Sequence, residues 1–301
     1  MKDDSAERAL MDTRKVGVFM RTHIWNNDAT RNFRRLREYW RGDVVVAFDE
    51  GGGAHLPEGI PSVTHSAAQF LRLGLPLYPT EARTMWYNGD YVLYNIALNS
   101  DYEYFILCEY DCIVPENFNS IVENMINDNV EFVIHRYGPA PDHWYWKAEA
   151  LKWYEAEGIK DICINCSIFP FVFCKRNAIL RLLNRRQSMF WANLQAPWMF
   201  CESFVATEAE RLGLRAAPLS KYATANRVVF APTTHWEEVG SGCNQFIHPV
   251  LTGDLFVNKI FAQSQNFGQE QREWLEKQRT RCRTEGEREI FDQLFAKQYA
   301  T

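Results

Sequence analysis

The chain has 301 residues, of which 47% are hydrophobic and 24% charged, and its formal net charge is −5. This composition excludes a disordered, collagen-like or coiled-coil protein, and the acidic balance argues against a general nucleic-acid surface, which needs clustered Lys and Arg. The unusual number is the aromatic share of 14%, with ten Trp. Aromatic residues beyond the needs of a core often line clefts that bind rings or sugars.

The N-terminal residues, the lengths of the apolar stretches and the cysteines indicate the cellular location. Residues 1–14 are charged and predict a disordered tail rather than a secretory signal. No stretch reaches the roughly 20 apolar residues that span a bilayer, so we expect no transmembrane segment, while a peripheral membrane contact stays open. The eight scattered Cys favour buried free thiols over a zinc site. The sequence therefore predicts a cytoplasmic protein.

Short apolar runs alternate with helical patterns through the first half, which predicts an α/β sheet with crossover helices. The first two strands are predicted at residues 16–20 and 44–48, separated by a helix that ends at Gly42. Three glycines at 51–53 predict a mobile loop after the second strand. That edge of an open α/β sheet, at the carboxyl ends of its strands, is where ligands bind.

The later elements are predicted from the same periodicities. Residues 57–79 are irregular apart from a short strand near Val63. Strands are predicted at 104–108, 132–135 and 168–174, and helices at 88–99, 115–126, 175–184 and 201–212. The segment around 143–146 is expected to be irregular, and the charged tail at 265–297 to form a docking helix or helix pair. We divide the chain into a tail (1–14), a catalytic domain (15–255) and a helical extension (256–301).

Two acids, Glu109 and Asp111, directly follow the apolar run at 104–108. The end of a buried strand places them at the ligand edge of the sheet, where buried carboxylates are costly without a cation. Two oxygen ligands with open coordination positions suit Mn²⁺ or Mg²⁺ bridging to substrate phosphates. The alternative is that Asp111 caps the following turn and Glu109 is solvated.

The order of these features resembles the nucleotide-sugar glycosyltransferases of the GT-A fold, in particular bacterial family-2-like members. In that family a first strand ends near a Thr or Pro, a second ends in an Asp that contacts the nucleobase or ribose, and a later buried strand ends in an acid-x-acid metal motif. Residues 16–22, 44–49 and 105–111 are similar to these segments, and the resemblance covers roughly residues 15–250. Glu-Tyr-Asp replaces the more usual Asp-x-Asp, which changes the reach of the first ligand.

The resemblance implies a GT-A-like mixed sheet flanked by helices, with a helical C-terminal extension. It also implies roles for residues late in the chain. Inverting members carry an acid about eleven residues before the Gly that ends a helix, and Glu202 stands at that interval from Gly213, which makes it the candidate catalytic base. Cys201 stands where the family often has another acid, and a first-turn acid favoured by the helix dipole is the alternative for Glu202. A late His completes many metal sites; His248, followed by Pro, is preferred over His235.

Further residues are implied to contact the substrates. Donor-binding candidates lie at the same edge of the sheet: Arg21, Thr22, Asp49, Asn88, Asp90, Glu109 and Tyr110. Helix capping is the alternative for Asn88 and Asp90. Aromatic candidates for the acceptor are Trp144, Tyr145 and Trp146, because sugar faces stack on aromatic rings; packing is their alternative explanation.

Five arginines crowd the first predicted helix, at positions 31, 34, 35, 37 and 41. At helical spacing they fall mostly on one face, and we expect that face to be solvated.

The sequence therefore predicts an inverting, metal-dependent glycosyltransferase that moves a sugar from a nucleotide-diphosphate sugar to a glycan or other hydroxyl acceptor. The resemblance implies surface polysaccharide synthesis as its setting. Three alternatives stay open: a sugar-nucleotide nucleotidyltransferase, a retaining transferase in which Glu202 is not a base, and a non-catalytic sugar- or nucleotide-binding protein. The first lacks the expected Gly-rich, basic loop after the first strand, whereas the imperfect acidic motifs keep the third open.

Overall fold

A seven-stranded mixed sheet forms the framework of the protein in the computed structural model, which describes residues 15–192 and 194–299. The predicted tail at 1–14 lies outside these residues. The sheet order is β3-β2-β1-β4-β6-β5-β7. Its strands are β1 (Val16–Thr22), β2 (Val44–Asp49), β3 (Ser62–His65), β4 (Tyr104–Glu109), β5 (Phe132–Pro139), β6 (Asn165–Lys175) and β7 (Ala216–Pro218).

Strand direction decides which residues meet at the ligand edge. Strands β1 to β4 pair parallel to one another, whereas β6 runs antiparallel to both β4 and β5. The carboxyl ends of β1, β2, β3 and β4 therefore lie at one edge, beside the amino-terminal part of β6. This edge carries the residues described in the next subsection.

Eleven α-helices, several short 3₁₀ turns and four short strands complete the described part of the chain. The first eight helices are α1 (Asn27–Tyr39), α2 (Ala67–Arg72), α3 (Thr84–Tyr87), α4 (Asp90–Leu98), α5 (Phe118–Asn127), α6 (Lys147–Ala156), α7 (Arg176–Ala192) and α8 (Cys201–Arg211). The C-terminal helices are α9 (Gly253–Ser264), α10 (Gln271–Arg279) and α11 (Glu285–Tyr299). Strand β8 (Thr224–Val228) pairs with β10 (Gln245–His248), and β9 (Thr234–His235) with β11 (Val250–Leu251).

Alternate side chains of the strands build a separate hydrophobic core on each face of the sheet. In β1, Val18 and Met20 pack in the core that includes α1 and α5, and Phe19 packs in the core that includes α4, α7 and α8. Because β1 is buried on both faces, its sequence is almost continuously apolar, and this apolar run is what predicted the strand. The mixed α/β fold class, with helices on both faces, is confirmed.

The structure departs from the sequence expectations in its middle part. The segment at 143–146 is irregular, as expected, but it is followed by the unpredicted helix α6, in which Ala150, Trp153 and Tyr154 recur at helical spacing and are buried in the core with α8. Helix α7 continues to Ala192, beyond the predicted end at residue 184. The strands β7 to β11 were not predicted, since they are only two to five residues long.

Helices α9, α10 and α11 share a small apolar core of their own, with Phe256, Leu275 and Phe291 fully buried. No helix in the described part of the chain is both long and apolar enough to cross a membrane.

Candidate metal and donor site

Glu109, Asp111 and His248 meet at the ligand edge of the sheet. His248 Nε2 lies 3.1 Å from Glu109 Oε2 and 3.4 Å from Asp111 Oδ1, and one ligand atom from each residue lies within 4.8 Å of the others. Asp111 Oδ1 is buried and has no hydrogen-bond partner, which is costly for a carboxylate oxygen. Two carboxylates and an imidazole form a donor set that can hold a divalent cation.

Backbone pairing brings His248 to the two acids. Ile113 N donates to Ile247 O, and Val250 N donates to Asp111 O, each at 2.8 Å. His248 lies between these two hydrogen bonds. The strand that carries it is thereby held against the Glu-Tyr-Asp turn, although the two segments are far apart in sequence.

His235, the other candidate ligand, lies in a different environment. It is 2% exposed, with Nε2 3.0 Å from Glu287 Oε1 and with Nδ1 accepting a hydrogen bond from Glu237 N at 3.2 Å. Glu287 also accepts hydrogen bonds from Gly253 N at 2.6 Å and Arg283 N at 2.7 Å. The Nε2 contact joins β9 to α9 and α11 through Glu287, whereas Nδ1 caps the turn that follows β9, so both ring nitrogens of His235 already have partners.

Arg21 is the cationic partner of Glu109. The two residues are registered on the neighbouring parallel strands β1 and β4, so their side chains point to the same face, and Arg21 Nη2 donates to Glu109 Oε1. Burial by itself would raise the pKa of the Glu109 carboxyl. Arg21 and then His248 outweigh burial and lower this pKa to about 2. Burial likewise lowers the pKa of His248, but Asp111 and Glu109 raise it to about 10. A metal ion would bind the neutral imidazole, so its binding would release a proton.

Glu202 lies at the first turn of α8, on the face of the sheet that Arg21 and Glu109 share. Its Oε1 accepts a hydrogen bond from Phe169 N at 3.1 Å, and its backbone oxygen accepts one from Ser167 Oγ at 2.7 Å. Burial raises the pKa of the Glu202 carboxyl to about 8, although the Phe169 hydrogen bond opposes this; the charge of Glu109 adds to the increase. A carboxyl that titrates near neutrality is suited to proton transfer.

Three further donor-binding candidates, Thr22, Asp49 and Tyr110, lie near the edge and differ in their hydrogen bonds and burial. Thr22 Oγ1 donates to Ile24 O at 2.5 Å and accepts from Ile24 N at 3.1 Å, so it closes a turn. Asp49 Oδ1 accepts from Gly51 N at 2.9 Å and caps the short turn Glu50–Gly52, where the sequence predicted a mobile loop. Tyr110 is half-buried.

Asn88 and Asp90 flank Gly89, which packs against Arg21 Nη1, but the polar atoms of their own side chains are used in the core rather than turned to a donor. Both are fully buried. The Asn88 amide donates to Tyr78 O and its oxygen accepts from Trp198 Nε1, each at 2.9 Å. Asp90 accepts from Arg186 Nε and from the Tyr94 hydroxyl, each at 2.8 Å. Their polar atoms are thus committed to the core beneath the sheet.

The Asp90–Arg186 pair gives a first prediction. Asp90→Asn leaves the fully buried Arg186 guanidinium without its counter-charge, and we expect the free energy of unfolding to fall by about 3 kcal/mol, measured by denaturant titration. Donor binding by the folded fraction should stay unchanged, since both carboxylate oxygens of Asp90 are already bonded to Arg186 and Tyr94. Glu273→Gln, in an exposed ion pair with Lys277, is the control that should leave the midpoint in place. A loss of donor affinity in the folded Asp90→Asn protein, with its stability unchanged, would contradict this assignment.

Two histidines that the sequence patterns did not select also lie at this edge. His23 follows β1; its pKa is lowered by burial and by Arg21, and raised less by the nearby Asp49, Asp111 and Glu109. His65 ends β3, registered with Asp49, and neither of its buried ring nitrogens has a hydrogen-bond partner. Their position at strand ends was the available signal, and only the strand order shows that these ends are adjacent.

An aromatic cluster lies at the start of α8, the helix that carries Glu202, and is formed by Trp86, Tyr87, Tyr145, Trp146 and Phe200. Trp146 stacks on Phe200 with ring centroids 4.2 Å apart, and Trp86 lies 5.3 Å from the same ring. Phe200 directly precedes α8. Trp86 is 56% exposed and Tyr145 81% exposed, so the cluster has an open aromatic surface, of which the sequence indicated Tyr145 and Trp146 and missed Trp86. The third predicted aromatic, Trp144, packs against the core instead.

Comparisons with known proteins add little at the level of sequence. No protein-family model matches the chain, and no curated protein sequence matches it. Among solved structures, the apo form of mouse xyloside xylosyltransferase 1 is similar over 77% of this chain and 96% of its own, with 9% identity and a TM-score of 0.44. This level of similarity assigns no activity to the chain.

Proposed function

We propose that this protein is a metal-dependent glycosyltransferase that uses a nucleotide-diphosphate sugar as donor and transfers the sugar with inversion to a hydroxyl acceptor. The observation that carries the proposal is the meeting of Glu109, Asp111 and His248 at the ligand edge, with Glu202 on the same face of the sheet. Acidic groups for a cation and a separate carboxyl for proton transfer are the two parts that direct displacement requires.

Each residue has a role that follows from its contacts. Glu109, Asp111 and His248 would hold the cation, which supplies charge to neutralise a leaving diphosphate. Arg21 orients Glu109, and its Nη1, buried beside Gly89, has no hydrogen-bond partner; a phosphate oxygen that reached it would satisfy it. Glu202 would take the proton of the acceptor hydroxyl as that oxygen attacks the anomeric carbon. Asp49 and Tyr110 would border the nucleoside.

The acceptor would lie on the aromatic cluster. We expect Trp86→Ala to raise the acceptor KM about tenfold, with a smaller effect on donor affinity, because a sugar face loses its stacking partner. Trp191→Ala is the matched control, since Trp191 is 74% exposed but outside the cluster. Equal KM changes in the two variants would show that the cluster does not bind the acceptor.

A ligand screen tests the donor and the cation together. A bound donor stabilises the folded state by mass action, by about 2.7 kcal/mol at a hundredfold excess over Kd. Thermal unfolding with a panel of nucleotide sugars should therefore show a higher midpoint with Mn²⁺ than with EDTA for one donor. If no nucleotide sugar shifts the midpoint in either condition, the proposal fails.

A non-catalytic sugar- or nucleotide-binding protein is the second candidate. The ion pair between Arg21 and Glu109 favours it, because the protein's own cation already compensates one carboxylate. Donor hydrolysis, assayed with and without EDTA, separates the two candidates: a binding protein shifts in thermal unfolding but releases no sugar.

A further inference from the structure

The arginine-rich face of α1 borders a pocket outside the candidate donor site. The pocket has a volume of about 480 Å³, and its lining includes Arg31, Arg34, Arg35, Glu38 and Trp236. The four α1 residues are spaced as neighbours on one helix face, and Trp236 comes from the turn after β9. The expectation of a merely solvated face is thus incomplete for three of the five arginines.

The guanidinium groups of Arg31 and Arg35 are held in place by the protein, yet each still has an N–H group without a hydrogen-bond acceptor. Arg31 pairs with Asp28 through Nη2 and stacks 4.2 Å over the Trp236 ring. Arg35 Nε donates to Val114 O at 2.9 Å. Arg31 Nε and Arg35 Nη2 are nevertheless buried without a hydrogen-bond partner. A buried N–H without a partner is costly, and an anion would satisfy both groups.

The charges around the pocket indicate the class of ligand. The lining has three guanidinium groups and one carboxylate, that of Glu38. Asp28, which pairs with Arg31, does not line the pocket. Guanidinium forks suit phosphate oxygens, whereas Glu38 repels them and accepts hydrogen bonds from hydroxyls. The volume lies in the range of small-molecule sites, well above that needed by a single ion.

We propose that this pocket binds a phosphorylated hydroxyl compound, with the phosphate on Arg31, Arg34 and Arg35 and the hydroxyls at Glu38. The same chemistry occurs in a free sugar or polyol phosphate and in a phospholipid headgroup that carries hydroxyls. The proposal is independent of the metal site and of the glycosyltransferase activity.

The test uses the full-length protein in EDTA, with the Trp236 indole N–H followed by NMR and assigned through Trp236→Phe. Glycerol 3-phosphate and inorganic phosphate should each produce a saturable shift of this signal. Arg34→Ala should weaken both about tenfold, and Glu38→Gln should weaken glycerol 3-phosphate alone. Asp111→Asn should leave both affinities unchanged, which separates this pocket from the donor site.

Arg37→Ala is the matched control, because it removes the same charge from an exposed arginine of α1 that does not line the pocket. Equal weakening by Arg34→Ala and Arg37→Ala, or no saturable shift, would overturn the proposal. Arg34 is exposed, so its replacement should leave the fold intact; Arg35→Lys, which keeps the charge but loses the fork, gives a second weakened variant.

Sedimentation with vesicles identifies the source of the phosphate. Binding to phosphatidylglycerol but not phosphatidylcholine vesicles, lost in Arg34→Ala and kept in Arg37→Ala, supports a lipid headgroup. Saturable binding of glycerol 3-phosphate without vesicle binding supports a soluble ligand.

Discussion

Asp111→Asn is expected to abolish the Mn²⁺-dependent part of donor binding and to reduce sugar transfer by at least about a hundredfold. Asp111 is buried, and its unpartnered Oδ1 lies 3.4 Å from His248 Nε2. Asparagine keeps the shape of the side chain but removes the charge and one of the two ligand oxygens. Metal titration followed by thermal unfolding, together with a transfer assay on the donor found in the ligand screen, measures both effects.

Asp101→Asn is the control for this variant, because Asp101 is an exposed acid near the opposite end of β4. It should leave both metal and donor affinity unchanged. Full activity of Asp111→Asn at the same Mn²⁺ concentration would rule out Asp111 as a ligand. Loss of activity with unchanged metal affinity would instead place the cation elsewhere.

Glu202→Gln is expected to lower kcat by a factor of about 10² to 10⁴, with little change in donor affinity. Glutamine retains the hydrogen bond from Phe169 N but cannot accept the acceptor's proton. Because burial raises the pKa of Glu202 to about 8, the wild-type rate should rise with pH up to that region, and a bound cation would move this limb to lower pH. The pH profile of kcat/KM in Glu202→Gln should lack the limb.

The same substitution separates catalysis from stability. The folded-state pKa of Glu202 is raised above its ordinary value, so its contribution to stability is complete below about pH 4.5 and is lost as pH rises towards 8. Glu202→Gln removes this titration, and its unfolding midpoint should fall less than that of the wild type between pH 5 and pH 9. A variant that is inactive and also less stable at pH 9 would indicate that Glu202 is structural.

Local patterns predicted the sheet because its strands are buried on both faces and are therefore continuously apolar. The same reasoning placed Glu109 and Asp111 after such a strand, where the structure has them at the ligand edge. It did not foresee that the side-chain polar atoms of Asn88 and Asp90 are used in the core, since a helix-start position does not tell whether a side chain faces ligand or core. Arg186, which lies 96 residues after Asp90 in the chain, decides that question.

The choice between His235 and His248 shows the same limit. Both lie in short strands between polar turns, and no periodicity distinguishes them. Backbone pairing of the strand at Ile247 with Ile113 brings one to the carboxylates, while Glu287, in the last helix, takes the other. These contacts connect segments that are distant in sequence, and no local preference encodes them.

The sequence by itself determined the α/β class, the strand that ends in Glu109 and the acid that starts α8, because burial and helical spacing are local properties of the chain. The resemblance preferred His248, but the tertiary structure alone brought it to Glu109 and Asp111. The structure alone also decided that Arg21 faces Glu109, that Trp86 joins the aromatic cluster, and that the arginines of α1 line a pocket. Each of these depends on strand register or on packing between distant segments, where a shift of one residue would turn a side chain to the opposite face.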